Sequence, residues 1–124
     1  MADPQRTRPV SVCDGLGIVL NLIRQGWCRD YLAKDRSGFP CQPTHPTAKV
    51  WSLDGALLVI PKVADKVGDA ILRAARKYND GQQWASIRQL NDDRSIHKAV
   101  IVKLVEEAAK AERLKRHVAA AKKK

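Results

Sequence analysis

The chain has 124 residues and a formal net charge of +10, with 44% apolar and 29% charged residues. This length accommodates one domain with a real core and excludes a second independent domain, and the apolar fraction excludes a wholly disordered chain. The longest apolar stretch, residues 55–61, is far shorter than the roughly 20 residues that span a bilayer, and residues 1–10 are too polar for a signal peptide. We therefore expect a cytoplasmic protein without a membrane segment.

The N-terminal part of the chain predicts an arm followed by a helix. Residues 1–10 contain two prolines and no periodicity, so we expect a flexible N-terminal arm. Ser11 is a suitable N-cap, and the apolar residues that follow it have helical spacing, which predicts a first helix over residues 12–25. Gly26 is expected to end this helix.

The next segment favours extended structure. Residues 34–38 read Lys-Asp-Arg-Ser-Gly, a composition typical of a tight turn. This predicts either a short β-hairpin near residues 31–42 or an extended excursion. Pro40, Pro43 and Pro46 then prevent a helix before Thr47.

Four further helices are predicted after the prolines. A strongly apolar pattern predicts a buried helix over residues 48–60, with Thr44 or Thr47 as its N-cap. Later helices are predicted at 62–77, 82–90 and 96–118, the last with Ser95 as its N-cap. The expected fold is mostly α, a compact bundle of about five helices, with one helical domain at 11–112 and a basic C-terminal tail at 113–124. The expected core residues are Leu20, Ile23, Trp51, Leu57, Ile71, Trp84, Ile87, Val100 and Leu104.

Several short motifs follow one another in a fixed order between residues 16 and 112. They are Gly26-Trp27-Cys28, Ala33-Lys34-Asp35, Gly38-Phe39-Pro40, Pro43, Pro46, Ala48, Trp51-Ser52-Leu53, Gly55-Ala56 and, before the last helix, Leu90-Asn91-Asp92. This order resembles a family of small bacterial and phage proteins of unknown function. The resemblance implies a compact, mostly helical domain and supplies no activity. Ser52 and Asp54 depart from the family pattern, in which a cysteine and an apolar residue are expected.

The cysteines favour neither disulfides nor a metal site. Their number is three, and no CxxC pair occurs, which argues against a disulfide framework. Cys28, Cys41 and His45 could be written as half of a zinc site, but zinc ligands usually come in closely spaced pairs. We expect reduced, mostly buried thiols, no metal and no cofactor.

The sequence carries no catalytic signature. The three histidines lie near no nucleophile motif, and the glycine-rich nucleotide-binding motifs are missing from the sequence. Asp54 would mark a site if it were buried without a partner, although such an acid more often pairs with an arginine or a helix N-terminus. The run 91–93, Asn-Asp-Asp, is explained as a helix cap. We therefore expect a protein that is not an enzyme.

Positive charge is concentrated at the C-terminus. From Arg94 onward there are ten Lys and Arg residues and three acids, whereas the preceding 93 residues are close to charge balance. Such a segment attracts phosphate backbones by counterion release, but bases near a helix C-terminus also complement the helix dipole and aid solubility. A nucleic acid or an acidic protein would bind through Lys110, Arg113, Lys115, Arg116, Lys122, Lys123 and Lys124, aided by Arg6 and Arg8. Against a nucleic acid, the Phe and Tyr residues do not alternate with this basic run as stacking platforms would.

A second functional interpretation is a protein-interaction module. Trp27, Tyr31 and Phe39 surround the predicted turn, and aromatic residues are enriched at interface hot spots. They would suit an inhibitor that binds a host protein. The oligomeric state is left open by the sequence.

Overall fold

The computed structural model describes residues 11–78 and 84–122, and in the last helix it describes side chains up to residue 115. The predicted arm at 1–10, the terminal Lys123 and Lys124 and the first residues of the predicted helix 82–90 lie outside the described residues. The elements in chain order are α1 (Val12–Gln25), β1 (Ala33–Asp35), β2 (Ala48–Trp51), α2 (Leu53–Leu58), α3 (Ala64–Tyr78), α4 (Ile87–Asp92) and α5 (Lys98–Lys122). The predicted mostly helical fold is confirmed.

Helix α1 has the predicted bounds. The Ser11 hydroxyl accepts a hydrogen bond from the Asp14 backbone N–H at 3.0 Å, and the Gly26 N–H donates to the Leu22 carbonyl at 3.1 Å. Gly26 ends α1 as expected, but its backbone conformation does not require glycine, because its φ of 179° is ordinary extended backbone. Glycine is needed there for space, since a Cβ would lie 2.6 Å from the Lys49 carbonyl oxygen on β2.

The predicted second helix is wrong in its first part. Residues Ala48–Trp51 form β2, which pairs antiparallel with β1 in the register Ala33 to Trp51 and Lys34 to Val50. Trp51 is fixed there because its N–H donates to the Gly26 carbonyl at 2.9 Å and its indole N–H donates to the Pro43 carbonyl at 2.9 Å. The helix begins only at Leu53.

Other local expectations are corrected by the hydrogen bonds at the element ends. Ser52, rather than Thr44 or Thr47, caps α2 by accepting the Gly55 N–H at 3.0 Å. Ser95 does not cap α5; its N–H and its hydroxyl both donate to Asp93 Oδ1, and the helix starts at Lys98. The short hairpin predicted near residues 31–42 is present, because the Asp35 N–H donates to the Phe39 carbonyl at 2.9 Å and the Cys41 N–H donates to the Ala33 carbonyl at 3.1 Å; β1 also pairs with β2.

The core lies where α5 packs against both α1 and α3, and α2 and α4 close its other side. Most of the predicted core residues are buried, whereas Leu20 and Val100 are partly buried at its edge. The largest fully buried side chains include Leu16, Ile23, Leu53, Ile71, Leu90, Ile101 and Leu104. This packing holds α3 and α5 side by side and leaves their outer faces at the surface.

Candidate nucleic-acid interface

A groove of about 380 Å³ runs between α3 and α5. Among the described side chains, its floor is formed by small or apolar residues, and its rim carries four bases, two acids and a tyrosine. These residues are Ala70, Ala74, Leu104, Ala108 and Ala111 on the floor, and Arg73, Lys77, Lys103, Lys115, Glu107, Glu112 and Tyr78 at the rim. We call this feature the α3–α5 groove.

Helical geometry explains why the bases line this groove. In α3 the buried side chains Val67, Ile71 and Ala75 face the core, so Arg73 and Lys77 lie on the exposed side of the same helix. Basic residues in the last turn of α3 also complement the negative end of its dipole. The packing of α3 on α5 therefore combines the bases of both helices along a single groove.

The predicted tail residues are only partly within this groove. Lys110, Arg113 and Lys115 are exposed on α5, and Lys115 lines the groove. Arg116 and Lys122 belong to α5, while Lys123 and Lys124 lie outside the described residues. Up to Lys122, the predicted tail is thus a continuation of the last helix.

Sequence reasoning missed the contribution of α3. Arg73 and Lys77 come from a different part of the chain than the C-terminal basic run, and Tyr78 is 48% exposed beside them. An aromatic residue therefore lies among the bases in space although none alternates with them in sequence. The Arg-Lys-Tyr sequence that ends α3, residues 76–78, is the signal that could have indicated it.

The three aromatic residues predicted for partner binding differ in environment. Tyr31 and Phe39 are exposed, at 48% and 68%. Trp27 is half-buried: its indole N–H donates to Asn91 Oδ1 at 2.6 Å, and the Arg29 guanidinium lies over its ring at 4.8 Å. Trp27 therefore contributes to the fold, and the exposed surface in this region belongs to the other two.

Asn91 is a buried connector rather than part of a helix cap. Its Oδ1 also accepts the Leu53 N–H at 2.9 Å, and its Nδ2 donates to the Cys28 carbonyl and to Asp92 Oδ1, both at 3.1 Å. These bonds join the segment after α1, the start of α2 and the helix α4. The sequence motifs Gly26-Trp27-Cys28, Trp51-Ser52-Leu53 and Leu90-Asn91-Asp92 therefore meet at one amide side chain.

Asp54 has the structural role that the sequence favoured. Its carboxylate is paired with Arg88 at 3.3 Å between Nε and Oδ2. Both residues border a second cavity of about 340 Å³, together with Asp30, Tyr31 and Asp92.

The thiols and the histidine of the supposed half-site have separate roles. Cys13, Cys28 and Cys41 are free and only partly buried, which corrects the expectation of mostly buried thiols; burial still raises the pKa of the Cys28 thiol, with Lys34 opposing this in part. His45 Nδ1 lies 2.7 Å from the Thr47 hydroxyl. Among the side chains that the structure describes, no group of three or more His, Cys, Asp or Glu is placed to hold a metal ion.

Comparison with known proteins gives no match: no family model, no curated protein and no solved structure is similar to this chain. In the described part of the chain, no helix combines the length and apolarity needed to cross a membrane.

Proposed function

We propose that this protein is a non-enzymatic accessory protein that binds the phosphate backbone of nucleic acids in the cytoplasm, through the bases of α3 and α5. The observation that carries the proposal is the α3–α5 groove, in which Arg73 and Lys77 from one helix face Lys103 and Lys115 from another. Cations from two helices around one groove form a surface that attracts phosphates without reading sequence.

The exposure of the four groove bases and their lack of ion pairs among the described side chains also support the proposal. Ion pairs between the described side chains are those of Arg24 with Glu106, Arg88 with Asp54 and Arg94 with Asp30. None of the four groove bases takes part in them, and all four are exposed. Phosphates would therefore meet cations that need not break an ion pair first.

The proposal differs from that of a merely solubilising helix end. If the bases served only solubility or the dipole of α5, those on α3 would not affect binding. If they bind phosphates, each lost contact lowers the slope of log affinity against log salt by about 0.9 on duplex DNA. Variants in α3 therefore distinguish the two roles.

The test compares two double variants that remove the same charge. Arg73→Gln with Lys103→Gln removes two groove bases, and Arg36→Gln with Lys49→Gln removes two exposed bases that do not line the groove. Affinity for labelled duplex DNA is measured by fluorescence anisotropy at several salt concentrations. We expect the groove variant to lose affinity at least about tenfold and to reduce the slope by about 1.8, while the control changes little. Equal losses in both variants, or no binding by the unmodified protein, would contradict the proposal.

A second candidate function is supported by the turn that presents Phe39. Asp35 Oδ1 accepts the N–H groups of Ser37 and Phe39 at 2.9 and 3.0 Å, and Gly38 has a φ of +87° that favours glycine. The turn thus fixes the backbone that carries an exposed aromatic ring, which reduces the backbone entropy lost when a protein partner binds it. Capture of one defined host protein that is insensitive to salt and lost in Phe39→Ser would support this role.

A further inference from the structure

We infer that the α3–α5 groove accommodates a single strand of nucleic acid, with an unpaired base stacked on Tyr78. This inference rests on the proposed function and narrows its ligand from nucleic acids in general to single strands. It predicts that the protein distinguishes a single strand from a duplex by a contact that carries no charge.

The floor of the groove is apolar and suits an unpaired base. Alanines at 70, 74, 108 and 111 and the side chain of Leu104 form an apolar depression, and the half-exposed ring of Tyr78 borders it. An unpaired base offers a flat apolar face to such a surface, and stacking on aromatic rings is a general mode of single-strand binding. In a duplex the base faces are covered by their neighbours, so the depression and the ring would remain empty.

The two acids of the groove affect where phosphates and bases would lie. Glu107 and Glu112 line the groove among the basic residues, and their carboxylates would repel a phosphate placed directly beside them. Phosphates are therefore expected beside the basic residues of the rim and away from Glu107 and Glu112, whose carboxylates can instead accept a hydrogen bond from an exocyclic amino group such as cytosine N4. The side chains of an acidic peptide offer no such amino donor, so the carboxylates of the groove favour a nucleotide over an acidic peptide.

The experiment uses the full chain and two labelled DNA probes of equal length, a single strand of about 12 nucleotides and the corresponding duplex. This length falls within the site sizes of known single-strand binding grooves. Tyr78→Ala removes the ring, and Tyr78→Phe keeps it without the hydroxyl. Tyr31→Ala is the matched control, because Tyr31 is also 48% exposed but does not line this groove. Circular dichroism verifies that each variant retains the helical fold.

We expect Tyr78→Ala to weaken binding of the single strand by about tenfold and to leave its salt slope and the duplex affinity unchanged. Tyr78→Phe and Tyr31→Ala should bind both probes like the unmodified protein. The inference is overturned if Tyr78→Ala affects neither probe or weakens both equally, or if polyglutamate displaces the strand as well as unlabelled DNA does. Loss of binding in the groove-base variant but not in Tyr78→Ala would overturn this inference and leave the proposed function standing.

Discussion

Replacement of Asn91 by alanine should be among the most destabilising single changes in this domain. Asn91 is only 1% exposed, and its amide makes four hydrogen bonds. Alanine leaves the buried Leu53 N–H without its partner, which costs about 1–3 kcal/mol, and the half-buried indole N–H of Trp27 adds a smaller amount. Together with the volume lost, we expect the free energy of unfolding to fall by about 3–5 kcal/mol, a large part of the stability of a small domain.

Urea denaturation followed by far-ultraviolet circular dichroism measures this loss. Asn21→Ala on the exposed face of α1 is the control, and we expect a change within about 0.5 kcal/mol. Asn91→Asp is diagnostic in a different way, because it keeps the acceptor but places a second carboxylate beside Asp92. Its destabilisation should decrease as the pH is lowered, since protonation restores a donor. A loss below about 1 kcal/mol for Asn91→Ala would show that the connecting role is wrong.

Four other changes test separate parts of the structure. Trp51→Ala should lower the free energy of unfolding by about 3–5 kcal/mol in the same denaturation assay, because the ring is buried, and unfolding like that of the unmodified protein would contradict its place in the core. Gly55→Ala should cost about 1–3 kcal/mol or more, since its Cβ would lie 1.8 Å from the Leu32 carbonyl oxygen, whereas Gly17→Ala, where a Cβ meets open space, should stabilise α1 by about 0.5–1 kcal/mol. Hydrogen bonds from Ser95, and to a lesser extent from Trp84, lower the pKa of Asp93 below its ordinary value of 3.8. The ionised Asp93 carboxylate therefore stabilises the fold above pH 3.8, and this stabilisation is lost as the pH falls further. Asp93→Asn should flatten the acid limb of a plot of unfolding free energy against pH.

Local signals sufficed for α1 because its start and its end are both marked in the sequence. The Ser11 hydroxyl accepts a backbone hydrogen bond, and at position 26 only a glycine is small enough to let β2 approach. The segment 48–51 was predicted wrongly because a short apolar run fits a helix or a strand equally well. Its pairing with β1 and its bond to the Gly26 carbonyl decide the outcome, and both partners are distant in sequence.

Of the four bases that line the α3–α5 groove, only Lys115 was predictable as a binding residue, because it belongs to the run of Lys and Arg visible in the sequence. Lys110 and Arg113 belong to the same run but do not line the groove. Periodicity shows which face of a helix is apolar, but it does not show which two helices become neighbours. For that reason Arg73 and Tyr78 acquired a place beside the basic run only when the packing of α3 on α5 was known.

The packing of the first helix against the last also has a consequence for how the chain folds. The ion pair between Arg24 and Glu106 joins residues 82 positions apart, and the Lys98 ammonium contacts the Arg24 carbonyl across a similar separation. Such distant contacts raise the cost of loop closure, so this domain should fold more slowly than helical bundles of equal size built from neighbouring hairpins. A nascent chain without α5 would expose the apolar sides of α1 and α3 together, which makes that intermediate the species most prone to aggregate or to engage a chaperone.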